Sequence, residues 1–290
     1  MRNTKHQLTF AVAALTLTAL IHGCTPPSAD TNTGTGTLQL LVTDKPYPVD
    51  LITSAEVSVS EVRVHDADAA DTQNDGDTGW TTIYDGDKTF DLIDLQNGRT
   101  DLLADANLPA GNYDQMRLIV TGGRVVLTDD SEFDLTVPSG EQTGIKLHFD
   151  FTVAEGDSTV LLLDVDLSRA FTPVPAGKIA DPATIREFKF QPSLGMRLIN
   201  LLEAGSIAGT VTDAADAPLE SVLVTAYDDS DAEVTSTVTD PDGTYVLSGL
   251  PAGTYTVEFS ATGYVDAQAT GVAVTAGEQT ANVDASLTAE

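Results

Sequence analysis

The sequence predicts an all-β protein made of two antiparallel β-sandwich domains in tandem. Apolar and polar residues alternate over most of the chain after residue 36, as they do in half-buried strands. Clusters of Gly, Pro, Asp and Asn interrupt these runs at the spacing of short strands joined by turns. Only residues 92–106 could hold a short helix. With 41% hydrophobic and 20% charged residues, the composition is that of a globular protein.

The charge of the chain limits its partners. It contains 44 Asp and Glu but only 14 Lys and Arg, so the formal net charge is −30. Binding to nucleic acid or to anionic headgroups requires basic clusters, and we expect neither partner. Such an acidic protein stays soluble and monomeric where salt screens its self-repulsion.

The N-terminus has the pattern of an export signal. Basic residues at positions 2 and 5 precede an uncharged apolar run over residues 8–21, which is too short for a stable membrane crossing. The run leads to Gly23 and Cys24, and Cys24 is the only cysteine of the chain. This arrangement resembles the lipobox of bacterial lipoproteins, although Ile21 and His22 depart from its commonest residues.

The lipobox resemblance implies a lipid anchor. Residues 1–23 would be a lipoprotein signal peptide, and Cys24 would become the mature N-terminus carrying fatty acids such as palmitate. An ordinary signal peptide with an incidental cysteine is the alternative. Thr25 after the cysteine favours, by analogy with lipoprotein sorting, the outer membrane or cell surface of a bacterial envelope. Residues 24–36, rich in Thr, Pro and Gly, are predicted to be a flexible tether.

Two β domains are predicted after the tether, over residues 37–200 and 205–290. In the first, alternation over residues 145–153 is followed by a turn and a predicted return strand, which places Asp164 and Asp166 on a solvated face. The second has no Lys or Arg and contains about seven short runs of strand length.

Two local signals in the first domain concern chain direction and register. Gly122-Gly123 between alternating runs predicts a hairpin. A change of alternation near Ser60-Glu61 predicts a bulge.

One phrase occurs in both predicted domains. Leu108-Pro109-Ala110-Gly111-Asn112-Tyr113 recurs as Leu250-Pro251-Ala252-Gly253-Thr254-Tyr255, each time before an alternating strand. Pro fixes φ, Gly supplies a turn conformation, and Tyr can pack across the sandwich edge. We interpret the phrase as a common hairpin entry used twice rather than as a ligand-binding signature.

The C-terminal segment contains an ordered set of short stretches at residues 205–211, 218–224, 239–245, 250–255 and 263–264. In these stretches it resembles the carboxypeptidase regulatory-like domain, a prealbumin-like or Ig-like sandwich of seven strands. The resemblance implies a non-catalytic accessory module. Because starch-binding domains share this fold, it implies carbohydrate binding by fold analogy alone.

The middle segment contains a second set of stretches, at residues 36–44, 90–98, 108–113, 137–140 and 144–147. In these stretches it resembles a bacterial lipoprotein family classed as domain of unknown function 4382. This resemblance covers most of residues 36–200 and implies no particular activity.

No catalytic site is predicted. Residues 205–290 contain no His, Lys or Arg, which excludes the chemistry of a transthyretin-like hydrolase there. His65 and His148 are the only histidines after the signal, and a lone strand histidine is more often a surface residue than a metal ligand. Asp164 and Asp166 are the one pair of carboxylates that an Asp-based glycoside hydrolase could use.

An acidic loop is the candidate metal site. Asp71, Asp75 and Asp77 supply hard oxygen ligands of the kind that Ca²⁺ prefers. In the twelve-residue calcium loop, however, Gln73 and Thr82 would occupy ligand positions. A solvated loop of an acidic protein is the alternative, and no other cofactor is predicted.

Aromatic residues are the candidates for contact with sugars, since their rings suit the apolar side of a pyranose. Because aromatic residues are only 6% of the chain, core or edge packing is the alternative for most of them. The candidates are Trp80, Tyr84, Tyr245, Tyr255 and Tyr264.

These observations favour a non-catalytic, lipid-anchored protein of the cell envelope that presents a binding surface, with carbohydrate as the leading ligand class. One alternative is a structural spacer that binds another envelope protein. The other is an Asp-based glycoside hydrolase.

Overall fold

Strands form nearly all of the regular structure, which confirms the predicted all-β class. The computed structural model describes residues 34–45, 52–69, 78–136, 144–175, 182–191 and 195–290. The predicted signal peptide, Cys24 and most of the predicted tether lie outside these ranges, and so do Asp71, Asp75 and Asp77. No helix among the described residues is long and apolar enough to cross a membrane.

Among the residues that the structure describes, the first sandwich contains strands β1 to β11 and three short helical turns. The helix predicted within residues 92–106 is a 3-10 turn at Leu92–Leu95, followed by a strand. The other turns are an α-helical turn at Leu167–Ala170 and a 3-10 turn at Pro182–Thr184. The strands are β1 (Thr35–Lys45), β2 (Ile52–Asp66), β3 (Trp80–Asp91), β4 (Asp101–Pro109), β5 (Gly111–Leu127), β6 (Glu132–Thr136), β7 (Ile145–Val153), β8 (Ser158–Asp166), β9 (Phe171–Val174), β10 (Glu187–Phe190) and β11 (Met196–Asn200).

Two sheets enclose the core of the first sandwich. One has the strand order β11-β8-β1-β4, and the other has the order β3-β2-β5-β6-β10-β9, with β7 also paired to β5. The core residues alternate along each strand, as Leu38 and Leu40 do on β1 and Met116 and Leu118 do on β5, and all four are fully buried.

The second sandwich confirms the predicted prealbumin-like plan, with seven strands of five or more residues and two short ones. One sheet has the order β15-β12-β20-β17 with β19 also paired to β12, and the other has the order β14-β13-β16-β18. The strands are β12 (Ala204–Asp213), β13 (Leu223–Tyr227), β14 (Glu233–Val238), β15 (Thr244–Pro251), β16 (Gly253–Ser260), β17 (Tyr264–Val265), β18 (Ala267–Val274), β19 (Gln279–Thr280) and β20 (Ala285–Ala289).

The two sandwiches share one topology. The neighbours β4-β1-β8 and β3-β2-β5-β7 of the first correspond to β15-β12-β20 and β14-β13-β16-β18 of the second. In both sandwiches, the first strand pairs in parallel with strands that come later in the chain. β1 pairs with β8, and β12 pairs with β19 and β20. The first sandwich is therefore the same fold extended by β6 and β9 to β11.

The repeated phrase forms the same corner in both sandwiches. At the end of β4 the Tyr113 hydroxyl donates to the Pro109 carbonyl at 2.9 Å, and at the end of β15 the Tyr255 hydroxyl donates to the Pro251 carbonyl at 2.7 Å. In each case the chain crosses here from one sheet to the other. The phrase is used twice, as expected, but the interpretation as a hairpin entry is wrong, because β4 does not pair with β5 and β15 does not pair with β16.

The hairpin predicted at Gly122-Gly123 is wrong, because β5 continues through both glycines. Ser58 pairs with Gly122 but Val59 pairs with Val120, so an extra residue bulges from β5 at this point. A Cβ on Gly123 would lie 2.4 Å from the Glu56 carbonyl oxygen, and glycine permits this close approach. The bulge predicted near Ser60-Glu61 is confirmed by a register shift between Val59 and Glu61.

The return strand predicted after residues 145–153 is also wrong. β7 pairs with β5, whereas β8 lies in the other sheet between β1 and β11. The intervening turn is bound to β1, since Thr37 N donates to Asp157 O at 2.9 Å and Gly156 N donates to Thr35 O at 3.0 Å. The turn therefore carries the chain between sheets instead of closing a hairpin.

Asp164 and Asp166 were expected on a solvated face, and this expectation is wrong. They are 5% and 9% exposed. β8 is an inner strand of its sheet, and Glu233 of the second sandwich reaches over its end to Lys45. The second sandwich covers the face that the alternation alone assigns to solvent.

The two sandwiches belong to one compact unit and are joined by specific contacts. Asn97, at φ 60°, accepts a hydrogen bond from Val246 N at 2.7 Å and donates one to Thr244 O at 3.2 Å. Its amide thus pairs with the edge strand β15 as the backbone of a further strand would. A Cβ on Gly98 would lie 2.9 Å from the Val246 side chain, so the junction is tightly packed there.

Candidate functional site

The buried pair of aspartates belongs to an ion-pair cluster at the junction of the sandwiches. Asp164 Oδ2 lies 2.7 Å from both Nε and Nη2 of Arg197. Asp166 Oδ2 lies 3.1 Å from Lys45 Nζ, and Lys45 also pairs with Glu233. Each carboxylate therefore has a cationic partner within the junction.

In the same cluster, burial disfavours the ionised form of two carboxyl groups. Burial raises the pKa of Asp164, although the Arg197 guanidinium opposes this rise. Burial raises the pKa of Asp44 well above its usual range, and the hydrogen bond from Gln96 opposes that shift. The adjoining pocket is small, at about 120 Å³, and is bordered by charges of both signs. The arrangement is typical of a structural junction.

A larger polar cleft lies beside the corner of the first sandwich. It has a volume of about 420 Å³. Its polar groups already pair with one another, as Thr152 does with Asn112 at 2.9 Å and Asn200 with Glu203 at 3.2 Å. Its rings, Tyr113 and Phe151, are buried and stack with centroids 5.2 Å apart, so they offer no open face to a sugar.

The outer face of β3-β2-β5-β7 has a different character. Two neighbouring cross-strand rows combine three cations with the two histidines of the described residues and the single tryptophan. We call these eight residues the basic face. The first row is Thr82, Arg63, Arg117 and Lys146, and the second is Trp80, His65, Gln115 and His148.

Strand alternation places these side chains on the outside. On β2, Arg63 and His65 alternate with Val62 and Val64, which are fully buried. On β5, Arg117 lies between the buried Met116 and Leu118 in the same way. Because successive side chains of a strand point to opposite faces, the apolar core fixes the polar rows outside.

Stacking and ion pairs order the centre of the basic face. The Arg117 guanidinium carbon lies 4.3 Å from the centroid of the Trp80 ring. The His65 ring lies 5.1 Å from Trp80, and its Nδ1 lies 2.8 Å from Asp114 Oδ1. Trp80 is thus held between a cation and an imidazole, as in a cation–π arrangement.

The three cations of the first row have unequal partners. Arg63 Nε donates to Glu61 at 2.6 Å, and this hydrogen bond lowers the pKa of Glu61. Arg117 Nε is buried without a hydrogen-bond partner among the described residues. Lys146 is exposed and forms no ion pair within the described part of the chain.

Two family models match the chain. Residues 35–180 match the domain of unknown function DUF4382, and residues 206–288 match the carboxypeptidase regulatory-like domain. The chain belongs to the DUF4382 family. The basic face lies wholly within the DUF4382 match.

Solved structures show distant similarity. The Bacillus anthracis TIE protein is 17% identical over 88% of this chain with a TM-score of 0.25, and this chain spans 34% of its length. The minor pilin GBS52 of Streptococcus agalactiae is 12% identical, with 87% of this chain and 96% of that chain covered and a TM-score of 0.25. The shaft pilin SpaA of Lactobacillus rhamnosus GG is 11% identical, with coverages of 88% and 98% and a TM-score of 0.25. No curated protein matches the chain.

The five candidate aromatic residues differ in their exposure and packing. Tyr245 and Tyr255 are 1% and 5% exposed, so packing, the alternative in the sequence analysis, is correct for them. Tyr84 and Tyr264 pack against the two cores as partly buried residues. Only Trp80 of the five lies in the basic face of the DUF4382 domain.

The metal predictions have two outcomes. Asp71, Asp75 and Asp77 lie outside the described residues, so the calcium hypothesis stays a prediction. Within the described ranges, no group of three or more His, Cys, Asp or Glu side chains could hold a metal ion.

Sequence reasoning missed the cations of the basic face. Arg63, Arg117 and Lys146 are far apart in the chain, and the pairing register that aligns them is not visible in any one strand. A signal existed, since each is two residues from a His or Gln of the second row. Only a correct strand order would have shown that these pairs are neighbours.

Proposed function

We propose that this protein is a non-catalytic, lipid-anchored component of a bacterial cell envelope whose DUF4382 domain binds carbohydrate on the basic face. The observation that carries the proposal is the pair of cross-strand rows on the outside of one sheet. The lipid anchor rests on Cys24 and its lipobox-like context.

The side chains of the rows suit a polysaccharide. Gln115, His148 and Lys146 offer hydrogen-bond donors on adjacent rigid strands, where their spacing is fixed by the sheet. An open sheet face, unlike a deep pocket, can bind a section of a long polymer without enclosing its ends. The fold analogy of the second sandwich with carbohydrate-binding modules is consistent with this function.

The absence of catalysis is part of the proposal. It is supported by the state of Asp164 and Asp166, which are buried and paired with Arg197 and Lys45. A glycosidase needs two carboxyls that reach the substrate, one to donate a proton and one to act as base or nucleophile.

Retention on polysaccharides tests the proposal. The full-length protein, extracted in detergent, should migrate more slowly in native gels that contain a polysaccharide that it binds than in gels without polysaccharide. A Gln115→Ala, His148→Ala variant should lose retardation, and a Gln39→Ala variant, altered on the other sheet at a position paired with Asp105, should keep it. Equal mobility in all gels across acidic and neutral polysaccharides would contradict carbohydrate binding.

A structural spacer is the second candidate, and the junction favours it. Asn97 pairs with β15, and Lys45 joins Asp166 to Glu233, so the two sandwiches are coupled by directional contacts. Crosslinking in cells should then recover one fixed envelope protein. Recovery of monomer alone would argue against this function.

A further inference from the structure

We propose that the ligand of the basic face is an anionic saccharide, whose carboxylate or sulfate groups bind Arg117 and Lys146. This inference rests on the proposed function and names the ligand class for the same site.

The arrangement of cations is unfavourable for the isolated fold. Arg63, Arg117 and Lys146 lie directly opposite one another on adjacent strands. Side chains so placed are about 4.5 to 5.5 Å apart at Cβ, and like charges at that distance destabilise a sheet. The chain has only 14 Lys and Arg against 44 acids, yet three cations occupy one row. An anion bound across the row would remove this repulsion.

Arg117 is prepared to bind an anion. Its guanidinium is held over the Trp80 ring, and because its Nε is buried, the two Nη groups are the donors that a ligand could reach. A guanidinium presents several donors in one plane and matches a carboxylate or sulfate with two parallel hydrogen bonds. Stacking on Trp80 fixes that plane before the ligand arrives, which reduces the entropy lost on binding.

Lys146 supplies the second charge. It lies opposite Arg117 on β7, and its side chain is exposed. The third cation of the row, Arg63, is already paired with Glu61, and Asp114 is paired with His65. The charge of Arg117 also lowers the pKa of Glu61, so Glu61 offsets part of it, and Lys146 is the cation of the row that has no carboxylate partner among the described residues.

Charge and geometry favour this ligand over other classes. A neutral sugar would need an open aromatic face, but Arg117 and His65 pack against Trp80. Nucleic acid would need a much longer basic surface, and a net charge of −30 repels such a polyanion. The two local charges act within about 8 Å at physiological ionic strength, which is enough for acidic groups of a saccharide in contact.

The single tryptophan makes the test site-specific. Trp80 is the only Trp of the chain, so its fluorescence reports binding at Arg117 directly. The full-length protein is titrated with polygalacturonate, with its fully methyl-esterified form, with dextran sulfate and with dextran. We expect a saturable change with at least one anionic polymer, a smaller or absent change with its neutral counterpart, and weaker binding at higher salt.

Matched variants separate a built site from general charge attraction. Arg117→Gln and Lys146→Gln should each weaken binding by about tenfold, the usual effect of losing one charge-assisted hydrogen bond. Arg124→Gln removes the same charge from the same strand, at an exposed residue that pairs with Glu132, and should leave affinity unchanged. Because Lys146 is exposed, its variant should fold normally even if Arg117→Gln does not.

Four outcomes would overturn the inference. Equal binding of the esterified and acidic polymers would reject the anionic ligand and leave carbohydrate binding intact. Equal losses in all three variants would indicate general electrostatics. Binding of none of the polymers would reject the proposed function as well. Self-association that Lys146→Gln abolishes, without saccharide binding, would make the face an interface between copies of the chain.

Discussion

Replacing Asp44 by Asn should stabilise the protein at neutral pH. Asp44 follows the alternating core of β1 and is 5% exposed. Gln96 Nε2 donates to its Oδ2 at 3.2 Å, while Oδ1 is buried without a hydrogen-bond partner among the described residues. Asn keeps the acceptor oxygen and the shape but carries no charge.

The magnitude follows from the buried charge. Burial is the main cause that raises the pKa of Asp44, and the charges of Asp164 and Asp166 raise it further. A buried polar group that lacks a partner costs about 1 to 3 kcal/mol, and a charged one costs more. We therefore expect Asp44→Asn to raise the free energy of unfolding by about 1 to 3 kcal/mol. For a protein of this size, each kcal/mol raises the Tm by ~2–4 °C.

The effect must depend on pH in one direction. A carboxyl whose pKa is raised in the folded state contributes stability in its protonated form below the unfolded pKa of about 3.9, and that contribution is lost as pH rises through the folded pKa. The natural protein therefore loses stability relative to Asp44→Asn as the pH rises. The difference between the two proteins should be largest near pH 7 and should shrink toward pH 4.

Thermal unfolding from pH 4 to 8 measures this difference. Asp105→Asn is the matched control, because Asp105 also accepts a hydrogen bond from a Gln amide at 3.2 Å but is exposed. It should show no pH-dependent gain. A Tm of Asp44→Asn equal to or below that of the natural protein at pH 7, or a gain that does not change with pH, would refute the reasoning.

Three further predictions concern the junction, the corners and the anchor. Lys45→Met leaves Asp166 and Glu233 without their shared cation and should lower the free energy of unfolding, measured in urea, by about 3 to 5 kcal/mol. An unchanged unfolding midpoint would contradict the bridging role of Lys45. Tyr255→Phe leaves the Pro251 carbonyl without its donor and should lower the free energy of unfolding by about 1 to 3 kcal/mol. Tyr113→Phe should have a similar effect, and unchanged stability in both variants would refute the shared role of the corner. Cys24→Ala should abolish labelling by palmitate and release the protein from membrane pellets, and persistent labelling would reject Cys24 as the acylated residue.

The sequence was sufficient for the fold class and for the recurrence of the corner phrase, because these depend on local patterns, but it did not show that the phrase joins two sheets. Alternation identified the cores of β1 and β7, and the phrase ending in Tyr113 and Tyr255 contains the Pro, Gly and Tyr that the corner uses. Such signals lie within about ten residues, where side-chain direction follows from backbone geometry alone.

The errors arose where distant strands decide the outcome. Gly122-Gly123 suits a hairpin as well as a continuous strand, and the pairing of β2 with both glycines keeps β5 continuous. The turn before β8 could close a hairpin, but its hydrogen bonds to β1 commit β8 to the other sheet. Asp164 was assigned to solvent because a strand pattern does not show that the second sandwich covers that face.

The candidate site depends on which residues occupy a fold that the chain uses twice. Counted from the corner tyrosines and allowing one bulged residue in β5, the row Arg63-Arg117-Lys146 corresponds to Thr225-Glu258-Gln268 in the second sandwich. There Gln268 donates to Glu258 at 3.0 Å, and the row contains no cation. Because strand order and register are alike, the fold itself does not require a basic row at this place. The cations of the first sandwich are therefore a property of that domain's surface, and charge is one feature by which a ligand can distinguish the two faces.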